Sequence, residues 1–364
     1  MAKIKIIIFI FLCCTFLYQC SELQDKAIQI PIDPYELLSD YNFFVGTLSD
    51  LSPSDGVLPY DLNTPLFSDY AEKARFVWMP EGQAAQYTTD HVLDFPEGAV
   101  LIKNFFYYND ERQPDLGRQL IETRLLVNRG EEWDAYDYIW NEEQTEAVYD
   151  VVGDIKEITW IDKNGEEKKV DYIIPNKNQC KGCHAYKNIQ RPIGPKARNL
   201  NKSFAYADGA MNQLLKWREK GYLTGLSQMD QVPAVVDWMD TSSGLHERAM
   251  AYLDINCGHC HNPDGAGNTS GLTLLADSEP GTKLGIYKAT VSAGAGTGGH
   301  TYSIVPGNPE ESIMIYRMRS DNPGAMMPEL GRRLLHQEGV DLIAEWIAAM
   351  DPNDFDAPED SSLN

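Results

Sequence analysis

Two short cysteine motifs constrain this chain more than any other feature of its sequence. Residues 180–184 read Cys-Lys-Gly-Cys-His, and residues 257–261 read Cys-Gly-His-Cys-His. Both are C-x-x-C-H, in which two thiols can form thioethers with the two vinyl groups of one porphyrin and the following imidazole can bind the iron. The motifs predict two covalent c-type haems, attached through Cys180, Cys183, Cys257 and Cys260, with His184 and His261 as iron ligands.

Three other uses of the same cysteines remain open: a four-cysteine zinc site, a pair of disulfides, or two redox-active dithiols. Zinc ribbons usually separate their C-x-x-C pairs by about 15–20 residues. Here residues 184–256 lie between the two pairs. None of these alternatives requires a histidine directly after each pair, and the chain has only 7 histidines in 364 residues. The motifs therefore favour haem.

The first 19 residues are typical of a signal peptide. Two lysines precede an apolar run from Ile6 to Leu17, which is short for a membrane-spanning helix. Residues 17–20 read Leu-Tyr-Gln-Cys and look like a bacterial lipobox, in which Cys20 would carry a lipid anchor. We therefore expect an exported cell-envelope protein, either periplasmic or an outer-membrane lipoprotein. A plain cleaved signal and an uncleaved anchor are the alternatives.

The chain is strongly acidic, with 54 Asp and Glu against 31 Lys and Arg and a formal net charge of −23. Such a surface repels nucleic acid, and no nucleic-acid partner is expected. It would steer a basic redox partner, although the charge is equally consistent with a simple role in solubility.

The region before the first motif is predicted to be β structure. Residues 20–34 are polar and proline-containing, which is typical of a tether. Residues 35–176 contain short runs rich in Val, Ile, Phe, Tyr and Trp, separated by turn residues. Asn164-Gly165 is a strong hairpin signal between two such runs. We predict an antiparallel β-rich domain over 35–176, although its sequence does not indicate what it binds.

The region around the second motif is predicted to be helical over residues 241–352. One amphipathic helix would lead into Cys257, and another would span Glu338–Met350. Between them, residues 325–329 read Ala-Met-Met-Pro-Glu. A thioether on such a loop is what a haem iron needs as its sixth ligand.

Residues 243–350 resemble a class I cytochrome c domain, with C-G-H-C-H near the start, M-M-P-E-L-G before the last helix and V-D-L-I-A-E-W-I within it. The resemblance implies His261 as the proximal ligand and Met327 as the distal ligand, with Met326 as the alternative. Over residues 35–350 the chain is similar to exported bacterial dihaem c-type cytochromes with a β-rich N-terminal region. That likeness rests on F-P-E-G-A-V-L-I-K-N, I-E-T-R-L and P-I-G-P-K, at residues 95–104, 121–125 and 192–196.

The first haem segment, residues 177–240, is less regular. In the cytochrome c family, a Gly-Pro at the position of Gly194-Pro195 accepts a hydrogen bond from the proximal histidine, which implies the Pro195 carbonyl as the partner of His184. No Met-Pro follows this motif. The sequence does not assign the sixth ligand of haem 1. The position is either open or filled by one of four candidates, Met211, Met229, Met239 and His246.

Together these observations predict a multidomain α and β protein: an antiparallel β-rich domain, an all-α cytochrome c-like region carrying both haems, and an acidic tail over 353–364. The predicted function is single-electron transfer through two haems to redox partner proteins, for instance a secreted dehydrogenase. The alternative is an enzyme of the dihaem peroxidase or oxidase type with an open site at haem 1. The sequence predicts no catalytic residue and favours a non-enzymatic carrier.

Overall fold

The computed structural model describes residues 27–226, 228–291, 294–329 and 331–357. The predicted signal peptide, the predicted anchor Cys20 and the first part of the tether lie outside these residues, as does the end of the acidic tail. In the part of the chain that is described, no helix is both long enough and apolar enough to cross a membrane.

The strands are short except at the centre of the main sheet. Within the described ranges they are β1 Leu58–Tyr60, β2 Glu72–Trp78, β3 Ala85–Gln86, β4 Val100–Tyr108, β5 Arg118–Asn128, β6 Trp133–Trp140, β7 Ala147–Asp150, β8 Asp154–Ile161, β9 Glu167–Ile174, β10 Ala185–Tyr186, β11 Ile189–Gln190, β12 Ser203–Tyr206, β13 Gly209–Asn212 and β14 Leu223–Thr224.

Among the described residues, the α-helices all follow β9. They are α1 Lys177–His184, α2 Ala197–Leu200, α3 Gln213–Glu219, α4 Leu245–Asn256, α5 Ile313–Arg319 and α6 Gln337–Ala348. Each haem motif therefore lies at the C-terminal end of a helix, the first on α1 and the second directly after α4.

A six-stranded antiparallel sheet with the order β1-β2-β4-β5-β6-β7 is the centre of the N-terminal region. The strands are rich in β-branched and aromatic residues, which favour a pleated and half-buried surface. The hairpin expected at Asn164-Gly165 is formed by β8 and β9. It covers one end of one sheet face, where Phe105, Tyr107 and Tyr172 share an apolar cluster.

The two faces of the main sheet differ in character because side chains alternate along each strand. One face is mainly apolar and includes Phe76, Ile102, Leu125 and Tyr138, with Asn104 and Thr123 as buried polar residues among them. The other face has an apolar cluster at each end. Between these clusters lies a set of charged side chains that we call the charged belt: Lys73, Arg75, Lys103, Glu122, Arg124 and Asp137.

The strand register sets the order of charges in the belt. Arg75 pairs with Lys103, Lys103 with Arg124, and Arg124 with Asp137, which makes one row across four strands. The adjacent row brings Lys73 opposite Phe105 and Phe105 opposite Glu122. The belt is thus assembled from residues of β2, β4, β5 and β6.

The prediction of an all-α cytochrome c-like region is wrong. The first haem segment contains strands β10 to β14, and β14 pairs in parallel with β3 of the N-terminal region. In the second segment, isolated bridges join Ile286 to Ile304 and Ala289 to Tyr302, and much of the chain between α4 and α5 is irregular. Strands of two to four residues are too short to show the period-2 pattern that identifies β structure.

One apolar cluster spans both sides of the predicted boundary at residue 176. It joins Val77 and Leu101 of the main sheet to Leu200, Leu214 and other side chains from the first haem segment. A further cluster packs α4, α5 and α6 together, including Leu253, Ile315 and Ile343. Packing of α4 in this cluster holds the start of the second haem motif in place.

Candidate functional site

The first motif lies on a short helix that starts with a capping box. The Asn176 side chain accepts hydrogen bonds from the backbone N–H groups of Asn178 and Gln179, and Gln179 Oε1 accepts from Asn176 N. This fixes the first turn of α1 directly after β9. Residues three and four apart share one helix face, so Cys180, Cys183 and His184 all lie on the same side of α1.

His184 is held in one orientation and one tautomer. Its Nδ1 lies 2.7 Å from the carbonyl oxygen of Arg191, which the β10–β11 hairpin returns to the end of α1. A carbonyl can only accept, so Nδ1 carries the proton and Nε2 keeps its lone pair. Burial lowers the pKa of His184 to about 4, with a further lowering by the charge of Lys103. The ring is therefore neutral at physiological pH, as an iron ligand must be.

The hydrogen-bond partner of His184 differs from the one that the family resemblance implies. The Pro195 carbonyl accepts from the backbone N–H of Leu93 at 3.1 Å, and not from the histidine. The prediction for Pro195 is wrong because the β10–β11 hairpin places the Arg191 carbonyl next to the ring. The role itself, a backbone carbonyl that fixes the proximal imidazole, is filled by Arg191.

His261 of the second motif has an equivalent arrangement with a side-chain partner. Its Nδ1 lies 2.9 Å from Ser270 Oγ, and that hydroxyl donates to the Gly267 carbonyl at 2.7 Å. Since the hydroxyl proton is already used, Ser270 Oγ accepts from His261 Nδ1–H and Nε2 remains unprotonated. Burial lowers the pKa of His261 as well, and the charge of Arg317 lowers it further.

Two glycines allow the backbone to fold closely around the second motif. A Cβ on Gly267 would lie 3.0 Å from His261 Nδ1. A Cβ on Gly258 would lie 2.5 Å from the Leu274 carbonyl oxygen and 2.7 Å from that of Asp254. Neither position has room for a side chain, and the chain can therefore wrap the His261 ring at short range.

The two motifs lie next to each other although they are far apart in sequence. A bridge pairs Tyr186 with Gly265, the backbone N–H of Lys187 donates to the Asp264 carbonyl at 2.8 Å, and the Tyr186 hydroxyl donates to Asp264 Oδ2 at 2.9 Å. The thiols of the two motifs also interact, since burial and then the charge of Cys183 raise the pKa of Cys260 to about 12.

A buried group of three charges joins the two haem segments at a second place. Asp254 on α4 is 1% exposed and binds Lys196 at 3.0 Å and Arg198 at 2.7 Å. Burial alone would raise the pKa of Asp254, but the charges of Lys196 and Arg198 keep it below its usual value. The aspartate is therefore ionised, and it ties α4 to the start of α2.

The loop that carries Met327 is anchored next to the second motif. The Met327 backbone N–H donates to the Arg317 carbonyl at 3.0 Å, and Arg317 Nε donates to the Ala325 carbonyl at 2.8 Å. The charge of Glu329, two residues further on, adds to the effect of burial in raising the pKa of Cys260, and it partly offsets the lowering of the His261 pKa by burial and Arg317. These contacts place the loop close to the motif whose distal ligand it is predicted to supply.

The candidates for the sixth ligand of haem 1 occupy varied positions. Met211 lies on β13, Met229 packs against an apolar cluster, and Met239 is 56% exposed. His246 is exposed, and its Nδ1 accepts from Trp346 Nε1 at 3.1 Å, which occupies one ring nitrogen. The structure therefore singles out none of the four.

Sequence reasoning missed one imidazole near His184. His259 lies inside the second motif, and its Nδ1 donates to the Ile255 carbonyl at 3.0 Å, leaving Nε2 free. Burial lowers its pKa to about 4, and its charge is close enough to lower the pKa of His184. Only the adjacency of the two motifs in space, which their spacing in sequence does not reveal, would have indicated this residue.

The residues of both motifs fit covalent haem better than a pair of disulfides or a four-cysteine zinc site. Cys180, Cys183, Cys257 and Cys260 are all free thiols, not disulfides. Within the described ranges, no three His, Cys, Asp or Glu side chains gather closely enough to hold a metal ion, which does not match a four-cysteine zinc site. Each thiol pair instead accompanies a neutral imidazole with a free Nε2, which is the donor set that an attached haem requires.

The charged belt lies beside the first motif. Cys180 Sγ is 3.7 Å from Asp137 Oδ2 at one end of the belt. Arg124 and Lys103 are next along the row, and both charges lower the pKa of His184. Glu122 and Arg124 could be placed on one strand face from the sequence, but the other members could not be added without the strand register.

Comparisons of this chain with protein-family models, with curated proteins and with solved structures find no match.

Proposed function

We propose that this protein is an electron-transfer protein that carries two covalently attached c-type haems. The observation that supports this most directly is the pairing of the two C-x-x-C-H motifs in space, each with its histidine held as a neutral ring with Nε2 free. Haem supplies a one-electron iron couple when it is bound, and the protein sets its potential.

In this proposal the chain's own residues have separate roles. The four cysteines hold the cofactors, and His184 and His261 bind the irons through Nε2. The Arg191 carbonyl and Ser270 hydroxyl orient these rings and increase their basicity. Met327 supplies a sulfur ligand at haem 2, which favours a high potential there.

The adjacency of the motifs gives the proposal a route for electrons. Tyr186 and Gly265, which follow the first and second motifs closely, are paired through the backbone. The two cofactor sites therefore adjoin within one chain, so an electron that arrives at one site can pass to the other. We further propose export, anchoring through Cys20 and a redox partner such as a secreted dehydrogenase.

The alternative is a peroxidase or oxidase with an open position at haem 1. That chemistry needs acid and base groups beside the open iron. His259 is buried and near His184, and its free Nε2 could serve as a base or as a sixth ligand. Absorption spectra decide between the two functions, because a six-coordinate haem 1 leaves no iron position for a small substrate.

The test is the haem content of the exported full-length chain. We expect two haems per chain by pyridine haemochrome assay, retained after denaturation and visible as two added masses. Cys183→Ser should reduce the attached haem to one per chain, and Cys257→Ser should do the same. Zinc in elemental analysis, without covalent porphyrin, would contradict the proposal.

A further inference from the structure

The charged belt has an unusual excess of like charge. Arg75, Lys103 and Arg124 stand directly opposite one another on three neighbouring strands. Like charges directly opposite in a sheet are destabilising, and an acidic chain would not be expected to concentrate cations in its interior. This arrangement indicates that an anion from outside these six side chains compensates the positive charge of the belt.

Two members of the belt have carboxylate partners within the protein. Arg124 binds Glu122 through two bonds of 2.6 and 2.8 Å, and Arg75 binds Asp61 at 2.8 Å. Lys73 and Lys103 are half-buried and have no carboxylate partner among the described residues. Lys103 Nζ lies over the Phe105 ring, 4.5 Å from its centroid.

Arg75 adds a second and independent sign of a missing ligand. Its side chain is only 4% exposed, and its Nη2 has no hydrogen-bond partner. A buried guanidinium nitrogen without a partner is costly, because it has lost its water without gaining an acceptor. An acceptor placed between Arg75, Lys73 and Lys103 would satisfy all three groups.

The position of the belt identifies the acceptor. Cys180 contacts Asp137 at one end of the row. With strands about 4.8 Å apart, Lys103 lies roughly 10 Å and Arg75 roughly 14 Å along the row from Asp137. A porphyrin held through its vinyl groups carries two propionates on the opposite edge. These two carboxylates match the two lysines, Lys73 and Lys103, that have no carboxylate partner in the described part of the chain.

We infer that Lys73, Lys103 and Arg75 form a carboxylate-binding site for the propionates of the haem attached to Cys180 and Cys183. The inference rests on the proposed function, since it requires that haem. It gives the N-terminal sheet a role, because the β-rich region then forms one wall of the haem 1 site and fixes the cofactor edge that faces away from the cysteines.

The test is a redox titration of the full-length haem protein after its haem content has been measured. Removing a positive charge near haem 1 disfavours the reduced state. We therefore expect Lys103→Met to shift the ferric-to-ferrous equilibrium of haem 1 roughly tenfold, about 59 mV lower for one electron, and to leave haem 2 unchanged. Lys73→Met should shift haem 1 in the same direction.

Two controls separate charge from structure. Lys103→Arg keeps the charge and should restore a midpoint close to the wild-type value. Lys169→Met removes an exposed lysine paired with Glu157 on the β8–β9 hairpin and should move neither midpoint. The absorption spectrum of haem 1 should be the same in Lys103→Met and in the wild type, since the axial ligands are unchanged.

Three results would overturn the inference, and they differ from one another. If both lysine variants carry two haems and keep the wild-type haem 1 midpoint, the belt does not bind the propionates, while the proposed function stands. Acetate or phosphate that shifts the wild-type haem 1 midpoint saturably, but not that of Lys103→Met, would show that the belt binds a free anion. A chain without covalent haem would remove both the inference and the proposed function.

Discussion

At the scale of single residues, the two histidines proposed as iron ligands are each fixed in one tautomer. Nδ1 of each ring is committed to an oxygen acceptor, Arg191 O for His184 and Ser270 Oγ for His261. The acceptors differ in kind, a backbone carbonyl and a hydroxyl that is itself a donor. Both arrangements leave Nε2 free. The tautomer is therefore the same in the two rings, although the group that accepts the hydrogen bond from Nδ1 differs.

Met327 carries the most specific ligand prediction. Met327→Ala should remove the sulfur-to-iron charge-transfer band from haem 2 alone and lower the haem 2 midpoint, because a thioether stabilises ferrous iron. Haem attachment should persist, since Cys257 and Cys260 form the thioethers. Spectroscopic redox titration measures both effects, and Met350→Leu, which alters a half-buried methionine at the edge of the α4–α6 cluster, is the control.

Two outcomes at this position would change the assignment. If Met326→Ala removes the band and Met327→Ala does not, the ligand is one residue earlier. If neither variant matters, haem 2 is not a His/Met centre. Met327→His should give a six-coordinate haem at a lower potential, which separates loss of the ligand from damage to the loop.

The candidate attachment residues could be proposed from sequence because covalent haem chemistry fixes their spacing within five positions. The charged belt could not, because Arg75, Lys103 and Arg124 come from three strands and meet only through the register of the sheet. The Arg191 carbonyl was missed for a related reason. A backbone acceptor has no residue type of its own, so only the hairpin that returns it to His184 reveals it.

At the scale of elements, the short strands of the first haem segment explain why its fold was misjudged. The β12–β13 hairpin pairs Tyr206 with Gly209 across a two-residue turn, and Asp208-Gly209 is a recognisable turn signal. With four residues in each strand, however, the alternation is too brief to outweigh the expectation of helices around a haem motif. The longer strands β4, β5 and β6 are rich in β-branched and aromatic residues and fall where β structure was expected.

The ion group of Asp254 links two elements, and its loss should be costly. Asp254→Asn leaves Lys196 and Arg198 buried without a full counter-charge, and breaking a buried pair costs about 3–5 kcal/mol. We expect a loss of this size in the free energy of unfolding, measured by guanidinium denaturation of the haem protein. Glu310→Gln breaks an exposed pair with Arg319 and should cost at most about 1 kcal/mol. Equal effects of the two variants would contradict a structural role for Asp254.

At the scale of the whole molecule, the charge is distributed unevenly. The chain has a formal net charge of −23, yet unmatched lysines lie in the belt beside the first motif. Only six of the described Asp and Glu residues are buried, so the exterior is strongly acidic. Such a surface attracts basic proteins over distances comparable with the Debye length.

This charge predicts a salt effect on electron transfer. The rate with a basic one-electron donor protein should fall as ionic strength rises, because the Debye length shortens to about 8 Å at about 0.15 M. Stopped-flow kinetics over a salt series measures it. An acidic donor of matched potential should show the opposite trend, and the same dependence for both donors would rule out steering by the net charge.

The backbone pairing of Tyr186 with Gly265 also has a kinetic consequence. Where electron transfer requires one domain to move towards another, that motion limits the rate, and the rate then depends on solvent viscosity. Here the two cofactor segments are joined by a bridge and by the buried charge of Asp254. The rate of electron transfer between them should therefore depend on tunnelling distance and driving force, and it should be independent of solvent viscosity.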